Sequence, residues 1–449
     1  MTKAGIILAA GQGKRMKSAT SKVMHKVAGL PMLGHVINAL RDGGADKIVV
    51  VTHAGGEAVR DFAHSMGAAT VVQQEQLGTG HAAAAAASAL EGFDGPVLIA
   101  YGDMPLVKDQ TFAAAYNAQE KTGLCLTAFK PADPAAYGRV VLDADGFLHH
   151  IIEFKDASPA QRDIKLCNSG ILALSARDLF RWTAALRNNN AQGEYYLTDV
   201  PAMAREEGMH CTVLLMAADE AIGVNSRAEL AAAEAAMQTR LRADYLNEGV
   251  TMADPATVYL SHDTNIEPDV IIEPNVFIGP GVTIRSGAVI HSFSHLEGAE
   301  VGKGAQIGPF ARLRPGAVLE ENVHVGNFVE VKNARLEKGA KANHLTYLGD
   351  ARVGAGTNIG AGTITCNYDG YNKSHTDIGA GVFIGSDTAL VAPVKVGDGA
   401  VIGAGSVITR DVAANALALT RAEHRELSGA GELFRARKKA IKEKSLKHT

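Results

Sequence analysis

The sequence predicts two folds in one chain: an α/β unit built on a parallel sheet, then a parallel β-helix of hexapeptide repeats. Three observations predict it. Up to about residue 225, short apolar runs alternate with helix-like stretches. At Ser226 a helix-start signal breaks that rhythm. From Ile266 onward, aliphatic residues return at every sixth position.

In the first region Gly5–Ala10, Lys47–Thr52, Val97–Tyr101 and Leu124–Phe129 are the apolar runs expected as strands. Met32–Asp42, Glu57–Met66 and His81–Leu90 lie between them with helical spacing. Strand, helix, strand at this interval points to a parallel sheet covered on both faces, with ligands at the carboxyl ends of its strands. Ser226-Arg227-Ala228-Glu229 is a capping box, and Leu230, Ala233, Met237, Leu241 and Tyr245 follow on one helical face. This helix is expected to connect the two regions, with Asn247 and Gly249 closing it.

The six-residue period runs through Ile266, Ile272, Ile278, Ile284, Ile290 and Leu296. After a one-residue shift it continues through Val301, Ile307, Leu313, Leu319, Val325 and Val331, and after an interruption through Ile378, Ile384, Leu390, Val396, Ile402 and Ile408. Such a period marks a parallel β-helix in which each hexapeptide forms one short face and its aliphatic side chain fills the prism. Residues 250–412 would make about nine coils of three hexapeptides. Between Ile359 and Ile378 the period fails, so Thr365–Asp377 is expected as an extruded loop, a favoured place for binding residues. The expected divisions are 1–225, 226–248, 249–420 and a tail of 421–449.

Composition narrows the classes. At 449 residues the chain is long enough for about two to four domains. Its 47% hydrophobic content is too high for a disordered protein, and its 48 glycines show no three-residue period, which excludes a collagen. No uncharged apolar run reaches the ~18 residues of a membrane helix, and Ala4–Ala10 lacks the flanks of a signal peptide. The four cysteines form no CxxC pair, which argues against a zinc knuckle or a disulfide framework. A cytoplasmic protein is expected. From Arg421 onward nine Lys/Arg face four Glu, a +5 tail within a chain of net charge −4. No basic stripe with interleaved aromatics suggests a nucleic-acid partner.

Leu8-Ala9-Ala10-Gly11-Gln12-Gly13-Lys14-Arg15-Met16 directly follows the first strand. Met16 stands where a dinucleotide fingerprint needs its third Gly, and no Walker A spacing is present. A short glycine loop beside Lys14, Arg15 and Lys22 nonetheless suits a nucleoside triphosphate, because backbone N–H groups can approach phosphates. A plain tight turn is the alternative reading. In the second region Asn343-His344-Leu345-Thr346-Tyr347-Leu348-Gly349-Asp350 disturbs the period. Arg314 and Lys332 could hold a phosphate there, Glu330 could orient the His344 imidazole, and Asn367-Tyr368 could approach from the extruded loop. An amine must be neutral to attack a thioester, and His344 is a suitable base.

The glycine loop resembles the Leu-x-x-Gly-x-Gly-x-Arg-Met opening of the sugar nucleotidyltransferases, with Ser21-Lys22 where that family usually has Pro-Lys. Gln73 and Gln76-Leu77-Gly78-Thr79-Gly80 resemble its pyrimidine-recognition segment, and Tyr101-Gly102-Asp103 its metal-binding strand end. The whole chain, from Leu8 to about Arg421, resembles the bacterial bifunctional UDP-N-acetylglucosamine pyrophosphorylase and glucosamine-1-phosphate N-acetyltransferase family. The resemblance implies a Rossmann-like α/β nucleotidyltransferase followed by a left-handed β-helix. It implies that Leu8, Ala9, Ala10, Gly11, Lys22, Gln73, Gly78, Thr79, Tyr101, Gly102, Asp103, Gly138, Glu153, Asn168 and Asn225 bind UTP and UDP-N-acetylglucosamine. Mg²⁺ would be held by Asp103 and Asn225, the few oxygen ligands such an ion needs from protein.

For acetyl transfer the resemblance implies His344 as general base with Glu330 as its partner. Arg314, Lys332, Tyr347 and Asn358 would bind glucosamine 1-phosphate. Ala361, Asn367, Tyr368, Ser386, Ala404 and Arg421 would line the acetyl-CoA site. A homotrimer with sites between subunits is implied, its C-terminal arm packed near a neighbour, as is a role in peptidoglycan and lipopolysaccharide precursor supply. Three rivals remain. In one, the β-helix only joins copies of a monofunctional nucleotidyltransferase. In another, His324, His344 and His375 hold a metal, as in a γ-type carbonic anhydrase; the last is a non-catalytic scaffold.

Overall fold

The computed structural model describes residues 2–11 and 13–446; Gln12 of the glycine loop and Lys447 of the basic tail lie outside the described residues. The chain forms two compact units. The first runs to Glu248 and takes in Val258–Thr264; the second comprises Gly249–Thr257 and the chain from Asn265 onward.

In the first unit β1 (Ala4–Leu8) is followed by a small hairpin of β2 (Lys26–Val27) and β3 (Leu30–Pro31), then α1 (Met32–Asp42) and β4 (Lys47–His53). Next come α2 (Glu57–Ser65), β5 (Ala69–Gln73), α3 (Thr79–Ala85), β6 (Pro96–Tyr101), α4 (Asp109–Thr122) and β7 (Leu124–Phe129). The remainder is β8 (Arg139–Leu142), β9 (Leu148–Ile152), α5 (Pro159–Arg162), β10 (Cys167–Ser175), α6 (Ala176–Ala185), α7 (Val200–Glu206), β11 (Cys211–Leu215) and α8 (Arg227–Asn247). The main strand order is β11-β7-β10-β6-β1-β4-β5.

Every residue of β1 is buried, and side chains alternate between two cores. Ile6 and Leu8 join Val97, Ile99, Leu126 and Trp182 on one face. Ile7 joins Leu33, Ile37, Leu40, Phe112 and Tyr116 on the other. The expected parallel sheet is present, with one reversed strand in its middle. β1 pairs in parallel with β4 and β6, and β11 with β7, but β10 runs antiparallel between β6 and β7. No long crossover helix precedes β10; it follows the β8–β9 hairpin and the four-residue α5, so the chain returns against its neighbours.

The cap of α8 forms as predicted, with a difference that matters. Ser226 Oγ accepts from Glu229 N at 3.3 Å, but Glu229 Oε2 reaches past Ser226 to accept from Asn225 N at 2.7 Å. Ala233 and Met237 bury against Met16, Val27, Met32 and Val224, so this helix packs on the first unit. Its Gln238 amide clasps the backbone of Leu260 in both directions, at 2.8 and 2.6 Å. That clasp helps draw Val258–Thr264 into the first unit, whereas the sequence placed all of 249–420 in the second.

The second unit is a three-faced parallel β-helix. One face is a ten-stranded column through residues 271, 289, 306, 324, 341, 358 and 383. The other two columns run through 283, 300, 318, 335 and 352, and through 277, 295, 312, 330 and 347, joined where Glu330–Leu336 and Tyr347–Val353 turn a corner. All eighteen periodic aliphatic residues are buried. Ile266 pairs with Ile284, eighteen residues on, but Ile284 pairs with Val301, seventeen on; the phase shift in the sequence is a shortened coil. Thr365, Cys366, Thr376 and Asp377 stay in strands, so the extruded loop narrows to 367–375.

One corner carries a ladder of bulky residues with left-handed backbone: Phe293, Phe310, Phe328 and Leu345, at φ between 50° and 62°. Phe293 and Phe310 stack at 4.9 Å, and Phe310 and Phe328 at 5.3 Å, all substantially exposed. The left-handed region is costly for such side chains, and successive coils fix it through Phe328 N donating to Phe310 O and Leu345 N to Asn327 O, each at 3.1 Å. Beyond the β-helix, α9 (Ala430–Ser445) carries most of the basic tail. Among the described residues no helix is long and apolar enough to cross a membrane.

Candidate active sites

In the first unit the carboxyl ends of β1 and β6 lie side by side, with Leu8 opposite Tyr101. Gly102 N donates to Leu8 O at 3.0 Å and Ala9 N to Val51 O at 2.8 Å, so the glycine loop and the Tyr101-Gly102-Asp103 turn diverge at one sheet edge. Between them is a cavity of about 360 Å³ lined by Leu8, Ala9, Ala10, Gly11, Lys22, Gln73, Gly78, Thr79, Tyr101, Asp103 and Asn225 among others. Eleven of the fifteen residues expected to bind the nucleotide or its product are thus gathered in one place.

The metal-ligand candidates come together through backbone and cap. Val224 N donates to Asp103 O at 2.9 Å, which sets Asn225 beside Asp103, and Glu229 holds the Asn225 backbone. The Lys22 ammonium bonds Asp103 Oδ2 and donates to Asn225 Oδ1 at 3.0 Å. These two oxygens therefore converge on a single cation, a fit for a hard metal ion. Gln73 is almost wholly buried at the end of β5, donating to Gly78 O at 3.2 Å and contacting His81 Nδ1 at 3.0 Å. Gly78 sits at φ 111°, where a Cβ would lie 2.7 Å from Tyr195 O, so a side chain there would push apart the loop that Tyr195 N and Gly80 N hold closed. Burial pushes the Tyr101 hydroxyl well above its ordinary value.

Gly138, Glu153 and Asn168 lie outside that cavity's lining, and Gly102 lies behind it in the strand-end turn. Asn168 N donates to Gly138 O at 2.9 Å. Glu153 lines a neighbouring cavity with Tyr196, Thr198 and Asp199; burial raises its carboxyl, and Thr198 donates to it at 3.1 Å. Next to Gly138, Arg139 is 2% exposed and has no carboxylate facing it in its hydrogen bonds. Its guanidinium instead donates to the carbonyls of Pro134, Ala135, Tyr137 and Arg162, and lies 5.6 Å from the Phe154 ring.

In the second unit His344 Nδ1 lies 2.8 Å from Asn327 Oδ1, directly opposite it one coil earlier. An amide oxygen only accepts, so Nδ1 carries the proton and Nε2 is left basic. This corrects the expectation that Glu330 orients the imidazole. Parallel register sets Glu330 between Arg312 and Tyr347, where it accepts from Arg314 Nη1 at 2.7 Å. Lys332 lies beside Lys373 of the extruded loop, and the close approach and repulsion of the two ammonium groups, with Arg314 near, hold Lys332 below the ordinary lysine value. Burial alone would raise Asp350, yet Asn333 and Asn367 donate to it and the nearby lysines leave it lowered. Arg314, Lys332 and Lys373 thus form one cationic cluster.

Ala361, Ser386 and Ala404 recur at one corner of successive coils: Asp387 N donates to Ala361 O and Gly405 N to Ser386 O, both at 2.7 Å. The Arg421 side chain crosses Gly403 and Gly405 at the end of that row. Asn367 is buried against Asp350, while Tyr368 is exposed and bridges to Lys373. Asn358 lies on the ten-stranded face between Lys341 and Phe383.

Residues 5–164 match the MobA-like NTP transferase domain, and residues 298–333 and 375–410 match the bacterial transferase hexapeptide repeats. The bifunctional protein GlmU of Maricaulis maris is 55% identical over 442 residues, 98% of each chain. Those of Rhodospirillum rubrum and Paramagnetospirillum magneticum are 54% and 52% identical, covering 97–98% of this chain and 98% of theirs. The chain belongs to the GlmU family.

As a GlmU family member it is a bifunctional transferase, with a Rossmann-like nucleotidyltransferase unit and a left-handed hexapeptide β-helix. Within this family frame, side chains at the two sites that were absent from the sequence-derived set include Asn327, Lys373, Gln76 and Glu194. Asn327 and Lys373 become visible only when the coils are stacked, since each meets its partner across the seventeen-residue step or the loop. Gln76 stood in a recognised segment, and its amide bonds Ala10 O across the cavity mouth. Glu194 carries no local signal. The triad of His324, His344 and His375 is not assembled: His324 faces Gln306 and Lys341, and His344 faces Asn327.

Proposed function

We propose that the second unit acetylates glucosamine 1-phosphate with acetyl-CoA and that the first joins the product to UMP from UTP. In the first reaction the sugar amine attacks the thioester carbonyl, an N–C bond forms, the C–S bond breaks, and coenzyme A leaves. His344 Nε2 takes the amine proton, with Asn327 fixing the tautomer. Arg314, Lys332 and Lys373 neutralise the sugar phosphate. Ala361, Asn367, Tyr368, Ser386, Ala404 and Arg421 receive the acetyl-CoA, and Tyr347 and Asn358 the sugar.

In the second reaction a phosphate oxygen of N-acetylglucosamine 1-phosphate forms a bond to the α-phosphorus of UTP as the α–β bridge breaks, releasing pyrophosphate. The unit's work is positioning and charge neutralisation. Gln73 and the Gly78 loop receive the uracil, backbone N–H groups of the glycine loop face the phosphates, and Gly138, Glu153 and Asn168 hold the sugar. Asp103 and Asn225 would hold Mg²⁺, which when bound draws the phosphates together and offsets their charge. The observation that carries the reading is that one chain holds this cation-binding strand end in its first unit and, in its second, both the His344–Asn327 pair and the cluster of Arg314, Lys332 and Lys373.

The exposed stack of Phe293, Phe310 and Phe328 supports an interface between copies, in keeping with a trimer, and the buried unpaired Cys125, Cys167 and Cys211 suit the reducing cytoplasm. One incubation with glucosamine 1-phosphate, acetyl-CoA, UTP and Mg²⁺, resolved by mass, tests it. UDP-N-acetylglucosamine should accumulate; His344→Ala should stop acetylation alone, and Asp103→Asn uridylylation alone. Uridylyl transfer without coenzyme A release would assign the β-helix to assembly only.

A further inference from the structure

We propose that Lys22 is a positioning residue that occupies the Asp103–Asn225 cation site and must be drawn off by nucleotide phosphate before a divalent ion can enter. The proposal rests on the reading of Asp103 and Asn225 as metal ligands and adds an order of events to it.

The Lys22 ammonium bonds both oxygens at once, and the Lys22 and Asp103 side chains are only 13% and 14% exposed. Neither partner can drift away. Asp103 is tied through its carbonyl to Val224 N, and Asn225 through its N–H to Glu229. The root of Lys22 is fixed as well. Met24 N donates to Ser21 O at 2.9 Å, the next residue Val23 is buried, and Gly13 lies against Lys22 so closely that a Cβ would come within 2.7 Å of Lys22 Cβ. Only the far end of the side chain is free to swing.

A divalent ion at these oxygens cannot share them with an ammonium, because like charges at this separation repel and the lone pairs are already committed. A displaced ammonium needs another anion. Among the described residues lining the cavity only Asp103 and Glu194 are acidic, and the neighbouring glycine-loop residues Lys14 and Arg15 are cationic. The phosphates of a nucleotide supply the missing counter-charge. Lys22 moving from Asp103 to phosphate vacates the site at the moment the metal is useful. By linkage, nucleotide and metal then raise each other's affinity. The metal-free protein does not hold divalent ions with a bare carboxylate, and Gly13 makes the swing depend on the conformation of the phosphate loop.

The test is Mn²⁺ binding to the full chain, followed by electron paramagnetic resonance with no nucleotide and with a non-hydrolysable UTP analogue. Lys22→Met should bind Mn²⁺ at least about tenfold more tightly than the native chain without nucleotide, since a competing charge-assisted hydrogen bond is gone. Lys22→Arg, which keeps the charge, should stay weak, and the gain from nucleotide should shrink in Lys22→Met. Lys22→Gln, a polar replacement, guards against a folding defect in the Met variant and should show the same gain. Unchanged nucleotide-free affinity in both Met and Gln variants, with Asp103→Asn abolishing Mn²⁺ binding in the nucleotide complex, would overturn the Lys22 role while leaving the metal ligands standing. Undiminished Mn²⁺ binding by Asp103→Asn in the nucleotide complex would overturn both.

Discussion

Replacing Arg139 by Met should destabilise the first unit far more than an ordinary core substitution. The guanidinium donates to four backbone carbonyls, those of Pro134, Ala135, Tyr137 and Arg162, in a site where the side chain is 2% exposed. Met fills similar volume but removes the guanidinium from all four; Pro134 O keeps the Tyr137 N–H, while the Ala135, Tyr137 and Arg162 carbonyls lose this donor. A buried acceptor left unpaired costs about 1–3 kcal/mol, and since Ala135 and Arg162 are exposed enough for water to replace the donor in part, a net loss of about 2–4 kcal/mol is expected. The chain's single tryptophan, Trp182, is buried in this unit and makes urea unfolding readable there by fluorescence. A loss of that size lowers the midpoint by about 1–2 M. Arg139→Lys should recover only part of it, because one ammonium cannot span four acceptors in a fork. Because the turn delivers Gly138, the KM for the sugar phosphate should rise in whatever fraction folds. A Met variant unfolding within about 0.5 M of the native midpoint with unchanged KM would refute the account.

Three further outcomes are expected. Asn327→Ala should lower kcat/KM for acetyl transfer about tenfold, the worth of a hydrogen bond that sets an imidazole tautomer, and leave uridylyl transfer intact; coenzyme A release and pyrophosphate release measured on the same preparation separate the two. Phe310→Asp puts a carboxylate into the middle of the exposed phenyl stack, so sedimentation should show the proposed trimer dissociating, and an unaltered sedimentation coefficient would remove the ladder from the proposed interface. Burial holds His35 down at about 4, against an ordinary 6.5, while its ring bonds Val27 O. The unfolded chain takes up this proton at the higher pH, so stability contributed here is intact above 6.5 and falls as pH drops toward 4, by about 3 kcal/mol in all. His35→Gln should flatten that slope in urea titrations read by Trp182.

The periodic part of the molecule was the most legible from sequence, because burial in a narrow prism imposes the same demand every six residues. All eighteen marked residues are interior, and even the phase shift has a counterpart in the seventeen-residue coils. The glycine loop and Asp103 were legible for a different reason: their chemistry is compressed into a few consecutive residues at strand ends. The reversal of β10 was not, since its apolar run has the same composition whichever way it points. Nor was the pairing of His344 with Asn327 in place of Glu330. Both candidates are polar residues about one coil away, and the choice turns on which face each strand occupies. The departure of Val258–Thr264 from the β-helix rests on contacts scattered through the sequence: Gln238, which reads as an ordinary helix surface residue, Arg242 and Tyr245 bond its backbone, and Ala28 O accepts from His262 N.

Because neighbours in the β-helix are neighbours along its axis, Arg314 and Lys332, and the row of Ala361, Ser386 and Ala404, are each laid out one coil apart along the chain. The acetyl-transfer half is thus written like marks on a ruler. Gaining or losing a full turn among the early coils, before Ile290, would lengthen or shorten the ruler without moving the marks relative to one another. A single residue inserted within the paired strands between Asn327 and His344 would take the imidazole out of register with its amide partner and turn it to the other face.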